Sequence, residues 1–595
     1  MNSLQNQRST YLSDRREDPV NWHPWGKEAL ALAKKKKRPI LLSIGYSSSH
    51  LCRVMARESF TSNQIAKLIN NQYVPILVDR EERRDVDRLY QVAHRLLTRS
   101  GGGWPLTVFI DPNDLLPFYS GTYFPAQANE SAPAFRDVLK RMADTYESQF
   151  EKIQEFKSKL EEAIIKSVAG SEIGELGDPL IDQACAQIDS SFDEKYGGFE
   201  QAPKSLHPAG LEFLREALAT IDNEEQLKRA AHMLDFTLGN ISLGGIHDHV
   251  GGGFFGYSSE RDWSIPRFEK TLADNAQLIS VFAARAKDLN NSWFKHVADH
   301  TADWMIREMR LDNGAFASSL DAESNNTDGR YYTWSKDEVK AVLGEDASDF
   351  SFAFGLDKSA NFRGKWHVRA NTLKSLDELP SEEDISRHKE YFPRLMEARL
   401  TRHSPQRDET VVAAWNALAI KGLIDLSNYF NREDCLGIAL TAIDYLRDTH
   451  WQNKMLFATS KNGKPGVDGY LDDYAFLLQA LVSLDSSVAR AEDLDFANEL
   501  ADTMIERFFD EDKGGFLFMP AEQAPISPIK TFADDWIPSG NAIASIALLR
   551  LNAQTGNGRY KTAAEASLKA GMGDTKDWPS AHATMVRALM VYDKL

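Results

Sequence analysis

From about residue 175 onward the chain is a run of amphipathic helical stretches separated by one recurring punctuation, glycine followed by an aromatic residue. It reads DEKYGGFEQAP at 193–203, GGGFFGYS at 251–258, LDNGAFASSLD at 311–321 and DEDKGGFLFMP at 510–520. The first three sites lie roughly sixty residues apart, and the fourth returns after about three such units; two helices per unit describe an array of helical hairpins. Glycine permits a tight turn with positive φ, and the phenylalanine can pin that turn to a core. Such an array stays open as a solenoid or closes into a toroid. Trp263, Trp334, Trp415 and Trp536, with Tyr257, Tyr331 and Tyr332, fall near the loops together with Asp, Asn and His. That favours a closed all-α toroid with a polar, aromatic pocket at one end.

The first part of the chain follows another rule. Residues 20–130 alternate helix and strand signals: helices at 25–36, 50–59, 62–70 and 85–97, strands at 39–44, 73–78, 106–110 and near 118–120. This alternation predicts an α/β unit with a sheet covered by helices. Residues 132–168 read as one long charged connecting helix. The expected domains are therefore 1–168 and 169–595.

Charge and cysteine usage narrow the function. Residues 1–165 carry a net charge of +4, leaving −22 on the remainder of a chain whose total is −18. An acidic majority argues against a large nucleic-acid footprint. The basic run Lys34–Arg38 ends a helix, where cations are favoured. No apolar run reaches a membrane span, and the first residues lack the apolar core of a secretory signal. The three cysteines, Cys52, Cys185 and Cys435, are far apart and lack metal-ligand spacing. No phosphate-cradling glycine loop is present. The expectation is a cytoplasmic protein with no cofactor, metal, membrane or nucleic-acid partner.

GYSSSHLCRVM, residues 45–55, follows a buried-type strand and opens a helix, where a thioredoxin-type fold keeps its redox pair. Three residues before Cys52 stands Ser49, whose hydroxyl cannot exchange with a disulfide but can cap the helix. Trp104-Pro105 resembles the cis-proline loop that faces such sites. A degenerate site of Ser49, Cys52 and Pro105 is expected, able at most to serve a protein partner or monothiol chemistry through Cys52.

The motifs DPVNWHPWGKEAL, RPILLSIGYSSSHLCRVMARESF, GGWPLTVFIDP, GGFEQAPKSLHP, DHVGGGFFGYS, PRFEKTLADNAQL, FASSLDAES, RDETVVAAWNALAI, LDDYAFLLQAL and PSGNAIASIALLRL run through nearly the whole chain. Together they resemble the spermatogenesis-associated protein 20 family and its bacterial-type members. The resemblance implies a thioredoxin-like domain fused to an (α/α)6 toroid similar to six-hairpin glycosidases and N-acylglucosamine 2-epimerases. Against the family pattern, Ser49 replaces a cysteine, Arg53 a histidine, Arg84 a proline and Arg267 a histidine. The family's Arg-Asp-Asp-Lys appears as Arg407-Asp408-Glu409-Thr410. These departures mark a divergent member with altered or lost chemistry.

In related toroids histidines serve as acid and base on an opened sugar, or two carboxylates flank a glycosidic bond. The candidate catalytic residues are Asp248, His249, Glu269, Asp321 and Asp408. His207, Arg267, Asn275, Glu323, Trp415, Asn416, Asp473 and Asn541 are candidate substrate contacts. Each has a plainer reading. His207, Asp408 and Asn541 can cap helices, Asp248 can shape a glycine loop, Glu269 and Lys270 can form a helical charge pair, and Trp415 can be core. The leading expectation is a toroid that binds, and isomerises or epimerises, a sugar or sugar-like small molecule. The alternatives are thiol-redox or chaperone-like work through Cys52, an inactive scaffold, and glycoside hydrolysis.

Overall fold

In the computed structural model, residues 2–130, 132–170, 173–178, 180–370, 373–484, 488 and 490–595 are described. Contacts divide the chain into two units. One comprises residues 1–170 with 458–468 and 517–531, and the other 171–457, 469–516 and 532–595.

The first unit holds strands β1 (His23–Pro24), β2 (Ile40–Gly45), β3 (Val74–Asp79), β4 (Leu106–Ile110) and β5 (Pro117–Gly121) in the order β1-β3-β2-β4-β5. The first three run parallel, and β4 and β5 are antiparallel. Every residue of β2, β3 and β4 is buried, as the continuous apolar runs require of strands covered on both faces. Helices α1 (Lys27–Lys36), α2 (His50–Met55), α3 (Asn63–Gln72) and α4 (Arg84–Thr98) alternate with these strands. The predicted helix over 50–59 is α-helical only to Met55 and continues as a π-helical turn, Ala56–Phe60. The predicted connector is two helices, α5 (Phe135–Ser148) and α6 (Phe150–Val168), because Gln149 leaves the helical region at φ −126°. α6 docks through Lys157, whose ammonium meets the carboxylates of Asp111 and Asp114, and through Gln154, which donates to Asp111 at 2.8 Å.

The second unit is a closed ring. Its outer helices are α7 (Ile181–Ser190), α9 (Glu224–Leu243), α11 (Ser292–Trp304), α15 (Glu433–Tyr445), α17 (Ala491–Phe508) and α19 (Gly558–Asp577). Its inner helices are α8 (Pro208–Ala217), α10 (Leu272–Leu289), α14 (Ala413–Phe430), α16 (Leu471–Val482), α18 (Gly540–Thr555) and α20 (Ala583–Lys594). Each inner helix packs on the next, and α20 returns to α8. The sequence pattern follows: α10 and α16 are buried almost all round, whereas outer helices such as α19 keep a polar face.

Every outer helix is followed by an inner one, so the inner helices run parallel and their N-termini share one end. The turns at the opposite end are short and closed by left-handed residues, Asn290, Asn431 and Gly556. Part-way down the bore Lys421 on α14 reaches Glu212 on α8 at 3.8 Å, and Arg587 on α20 pairs with Glu212 and Glu216 at 2.8 and 2.9 Å. α14 and α8 are not neighbours in the ring, so this ion network spans the bore as a floor.

Between α11 and α14 the chain detours through a lobe, residues 335–405, with helices α12 (Lys336–Leu343) and α13 (Glu382–Leu400). α13 was not expected from the sequence, because its charged stretch carries an internal proline, Pro393.

Candidate functional site

The long connections of the ring all run from an outer to an inner helix, at the end where the inner N-termini gather. The Gly-aromatic loops lie there. Three follow one pattern, Asp-x3-Gly-Gly-Phe, beginning at Asp193, Asp248 and Asp510. In each, the aspartate carboxylate accepts two loop amides: Lys195 and Tyr196 on Asp193, Val250 and Gly251 on Asp248, Asp512 and Lys513 on Asp510. Both glycines take positive φ, 66° and 77°, 83° and 78°, 68° and 73° respectively. A Cβ on Gly253 would stand 2.7 Å from the Trp304 ring, so that glycine is fixed by crowding as well as by backbone.

The phenylalanine of the punctuation is clamped by its backbone. Asn275, three residues into α10, accepts from Phe254 N at 2.5 Å and donates to Phe254 O at 3.0 Å. Asn416 does the same to Phe316 (2.8 and 3.0 Å), and Asn541 to Phe516 (2.7 and 2.9 Å). These three side chains, expected to meet substrate, instead staple loops to inner helices.

Asp248 also has a structural task. Arg399 grips it with two bonds of 2.7 and 2.9 Å and Lys270 adds one of 2.7 Å, all three side chains being buried. Burial alone would raise this carboxyl, but Arg399 and Lys270 hold it well below the ordinary carboxylate range. It is a fixed anion, ill-suited to proton transfer. Lys270 is therefore not the helical partner of Glu269; both precede α10 on an extended segment. His249 sits in the ring wall with Nε2 3.1 Å from the carbonyls of Leu243 and Gly244, and burial pushes its pKa down. Asp473 accepts the amides of Tyr470 (2.8 Å) and Ala414 (2.9 Å), tying α16 to α14. His207 is the N-cap residue of α8 at φ +47°, its ring 6.1 Å from Phe199, with its pKa lowered by burial.

The other carboxylates converge. Strands β6 (Lys270–Thr271), β7 (Ser319–Leu320) and β8 (Arg407–Asp408) form a sheet in the order β8-β7-β6, with Thr271, Ser319 and Asp408 in register. Pairing continues past β7, where Asp321 N donates to Gln406 O at 2.9 Å. Alternate residues of a strand share a face. Glu269, Asp321 and Asp408 thus fall on one side, with Glu269 opposite Asp321. Side chains at opposed positions of antiparallel strands stand about 4.5–5.5 Å apart at Cβ. All three carboxylates are buried. Asp408 accepts Thr410 Oγ1 at 2.8 Å, and Asp321 accepts Glu323 N at 2.9 Å.

A family model described as Thioredox_DsbH, protein of unknown function, DUF255, matches residues 1–165. Spermatogenesis-associated protein 20 of Rattus norvegicus is 32% identical over 639 residues, spanning 99% of this chain and 80% of that protein. The Homo sapiens protein of the same name is 31% identical with the same coverage. The chain belongs to the spermatogenesis-associated protein 20 family. Among solved structures it is similar to a D-mannose isomerase (12% identity, TM-score 0.47, covering 70% of this chain and 96% of that one). It is also similar to cellobiose 2-epimerase from Bacillus thermoamylovorans (10%, 0.45, 70% and 99%).

Aromatic groups stand at the same end of the family's ring. Trp415 on α14 meets Trp536, ahead of α18, edge-on at 5.3 Å, and the buried Trp415 Nε1 has no partner among the described residues. The Arg267 guanidinium lies 5.9 Å from the centre of the Tyr257 ring, and its buried Nε has no partner among the described residues. Glu323 begins a two-residue strand paired with Asp328. Sequence reasoning passed over Lys204, which pairs with Asp193 at 2.6 Å and donates to Gly197 O at 2.7 Å just as Lys270 serves Asp248 and Gly252. It also passed over Arg399, which nothing in its helix marks.

In the first unit, Ser49 is the N-cap residue of α2 and accepts from Cys52 N at 3.4 Å. Cys52 is buried at 1% exposure beneath it. A Cβ on Gly45 would meet Cys52 Sγ at 2.7 Å and Tyr11 Oη at 2.5 Å, so the thiol is wedged rather than presented. The Trp104-Pro105 peptide is cis. Cys185 and Cys435 are buried too, and burial pushes both thiols up to about 12. Among the described residues no group of His, Cys, Asp and Glu is arranged to hold a metal ion, and no helix is long and apolar enough to cross a membrane.

Proposed function

We propose that the ring binds a sugar or sugar-like polyol at the N-terminal end of its inner helices and acts on it through carboxylates. The observation that carries this reading is the shared face of Glu269, Asp321 and Asp408 on the β6–β8 sheet. Paired carboxylates can divide acid and base roles when their surroundings separate their pKa values. The Trp415–Trp536 pair and Trp415 Nε1 supply an aromatic face and a hydrogen-bond donor of the kind hydroxylated rings use. The floor of Lys421, Glu212 and Arg587 limits how deep a ligand can enter. The engagement of His249 by two carbonyls weakens an epimerisation led by that histidine.

The test is calorimetric binding of the full chain to a panel of free mono- and disaccharides, followed by two assays on any binder: solvent-deuterium incorporation at C2 and release of reducing ends. Binding is expected in the native chain and lost at least about tenfold in Glu269→Gln and Asp321→Asn. A panel with no binder, or binding untouched by both substitutions, overturns the reading.

A further inference from the structure

On the outer wall of the ring, between α11 and lobe helix α13, lies a groove of about 820 Å³. Its base is made of histidines. His296 and His300, one turn apart on α11, stack with ring centres 5.5 Å apart, and His388 on α13 lies 6.5 Å from His296. Behind them His247 is 5.8 Å from His300 and 5.0 Å from His249. Trp293, Phe354 and Phe392 surround the His388 ring, each with its ring centre within 5.7 Å. Among the described residues, three buried ring nitrogens of this cluster have no partner: His247 Nε2, His300 Nδ1 and His388 Nδ1. Five imidazoles therefore meet at the joint between ring and lobe, and the carboxylates nearest them, Asp248, Asp299 and Asp384, are each engaged by other partners.

The charged groups around the joint are nearly all engaged with each other. From α11, Asp299 pairs with Lys295 and with Arg432 at the start of α15, and Asp303 also pairs with Arg432. From the glycine loop and β6, Asp248 is shared by Arg399 and Lys270. Asp384 of α13 closes its own helix N-terminus on Ser381. Arg307 donates to Gly251 O at 2.5 Å and pairs with Glu308, and Arg387 pairs with Glu383. Lys389, Glu382 and Glu397 line the rim and are exposed. His367 of the lobe donates from Nε2 to Gly245 O at 2.6 Å.

We propose that this imidazole cluster is an acid-sensitive latch, holding the α13 edge of the lobe against α11 when neutral and releasing it when protonated. A proton on His388 creates a cation walled by Trp293, Phe354 and Phe392, and one on His300 faces the imidazoles of His247 and His296. Lifting α13 from α11 brings water to the buried ring nitrogens and relieves that charge. The lobe packs around Val339, Leu343, Phe350, Phe354, Leu356, Tyr391 and Leu395, a core that Val250 of the glycine loop also joins, and Arg399 near the C-terminal end of α13 stays on Asp248, so the part of α13 that lifts is its N-terminal stretch. Its opposite edge stays pinned to α9, where Ala370 N donates to Leu243 O (2.9 Å) and Leu373 N to Asn240 Oδ1 (3.1 Å), making a hinge.

The sign follows from burial. It lowers His296 to about 4 and His388 to about 3, below the value near 6.5 that each regains when the joint opens. The open form therefore binds protons first. Closure is fully favoured above about pH 6.5 and is lost progressively as the pH falls through 4 toward 3. The lobe leaves the ring at β7 and returns at β8, beside Asp321 and Asp408. If the carboxylate face is the ligand site proposed above, release of the lobe also loosens that site.

Hydrogen exchange read by mass spectrometry, corrected for intrinsic rates and run without ligand, tests the latch independently of the sugar reading. Between pH 7 and pH 5, protection of residues 382–396 is expected to fall at least about tenfold while inner helices α10 and α14 keep theirs. His388→Phe, and separately His296→Gln with His300→Gln, are expected to retain protection at pH 5. Loss of protection in α13 and the inner helices together, unchanged protection of 382–396, or variants that respond to acid as the native chain does would each overturn the proposal. If the variants do not fold, the native profile alone still decides between selective release and none.

Discussion

The loops at Asp193 and Asp248 are built from the same parts and hold different amounts of structure together. Each aspartate accepts two loop amides and a buried lysine, and each lysine also reaches a glycine carbonyl. They differ in the arginine. Asp193 takes Arg261, whose side chain is 45% exposed, whereas Asp248 takes the buried Arg399 from the lobe. One design thus closes a loop in the first case, and in the second also anchors an insertion. The comparison teaches that Asp248 looks catalytic only when read alone. Beside its twin it is a brace that has acquired a second load.

The largest effect is expected from Asp248→Asn, which strands two buried cations and should cost about 3–5 kcal/mol in urea unfolding. Asp193→Asn should cost about 2 kcal/mol, because Arg261 can turn to water. Equal losses would break the distinction between the two loops. The carboxyl of Asp193, held at about 2 chiefly against burial by Arg261 and Lys204, contributes stability that is full above about pH 4 and lost as the pH falls toward 2. In Asp193→Asn that acid-side loss is expected to shrink.

Asn541→Ala removes both bonds to Phe516 and should cost about 1–3 kcal/mol in thermal unfolding, with a similar loss for Asn275→Ala and Asn416→Ala. A loss of ligand binding without a loss of stability would return these residues to the site. The smallest effect is expected at the helix of the first unit. Ser49→Ala should cost about 1 kcal/mol, as loss of an N-cap does, and Cys52 in the folded chain should react slowly with a thiol reagent in both proteins. Rapid labelling of Cys52 would show an accessible thiol.

Much of this was legible in the sequence because it is local. The hairpin periodicity, the glycine-aromatic turns, the α/β alternation and Ser49 as a cap each follow from backbone preference or from residues a few positions apart. Asn275 and Asn416 were visible as polar residues within helices, and Asn541 as one at a helix start. Their bonding was not visible, because the partners Phe254 and Phe316 lie 21 and 100 residues away. The histidine joint escaped for the same reason, since it needs α11 and α13 side by side and α13 itself was hidden by Pro393.

By itself, then, the sequence determined the two kinds of architecture and the end of each hairpin where polar and aromatic residues gather. Tertiary structure decided which of those residues are already spent. Asp248 is neutralised by Arg399, 151 residues distant, and Glu269, Asp321 and Asp408 share a face only because three separate segments pair as strands. Local preferences set φ, ψ and periodicity, but the charge state and availability of a buried carboxylate depend on partners that only the folded chain brings near.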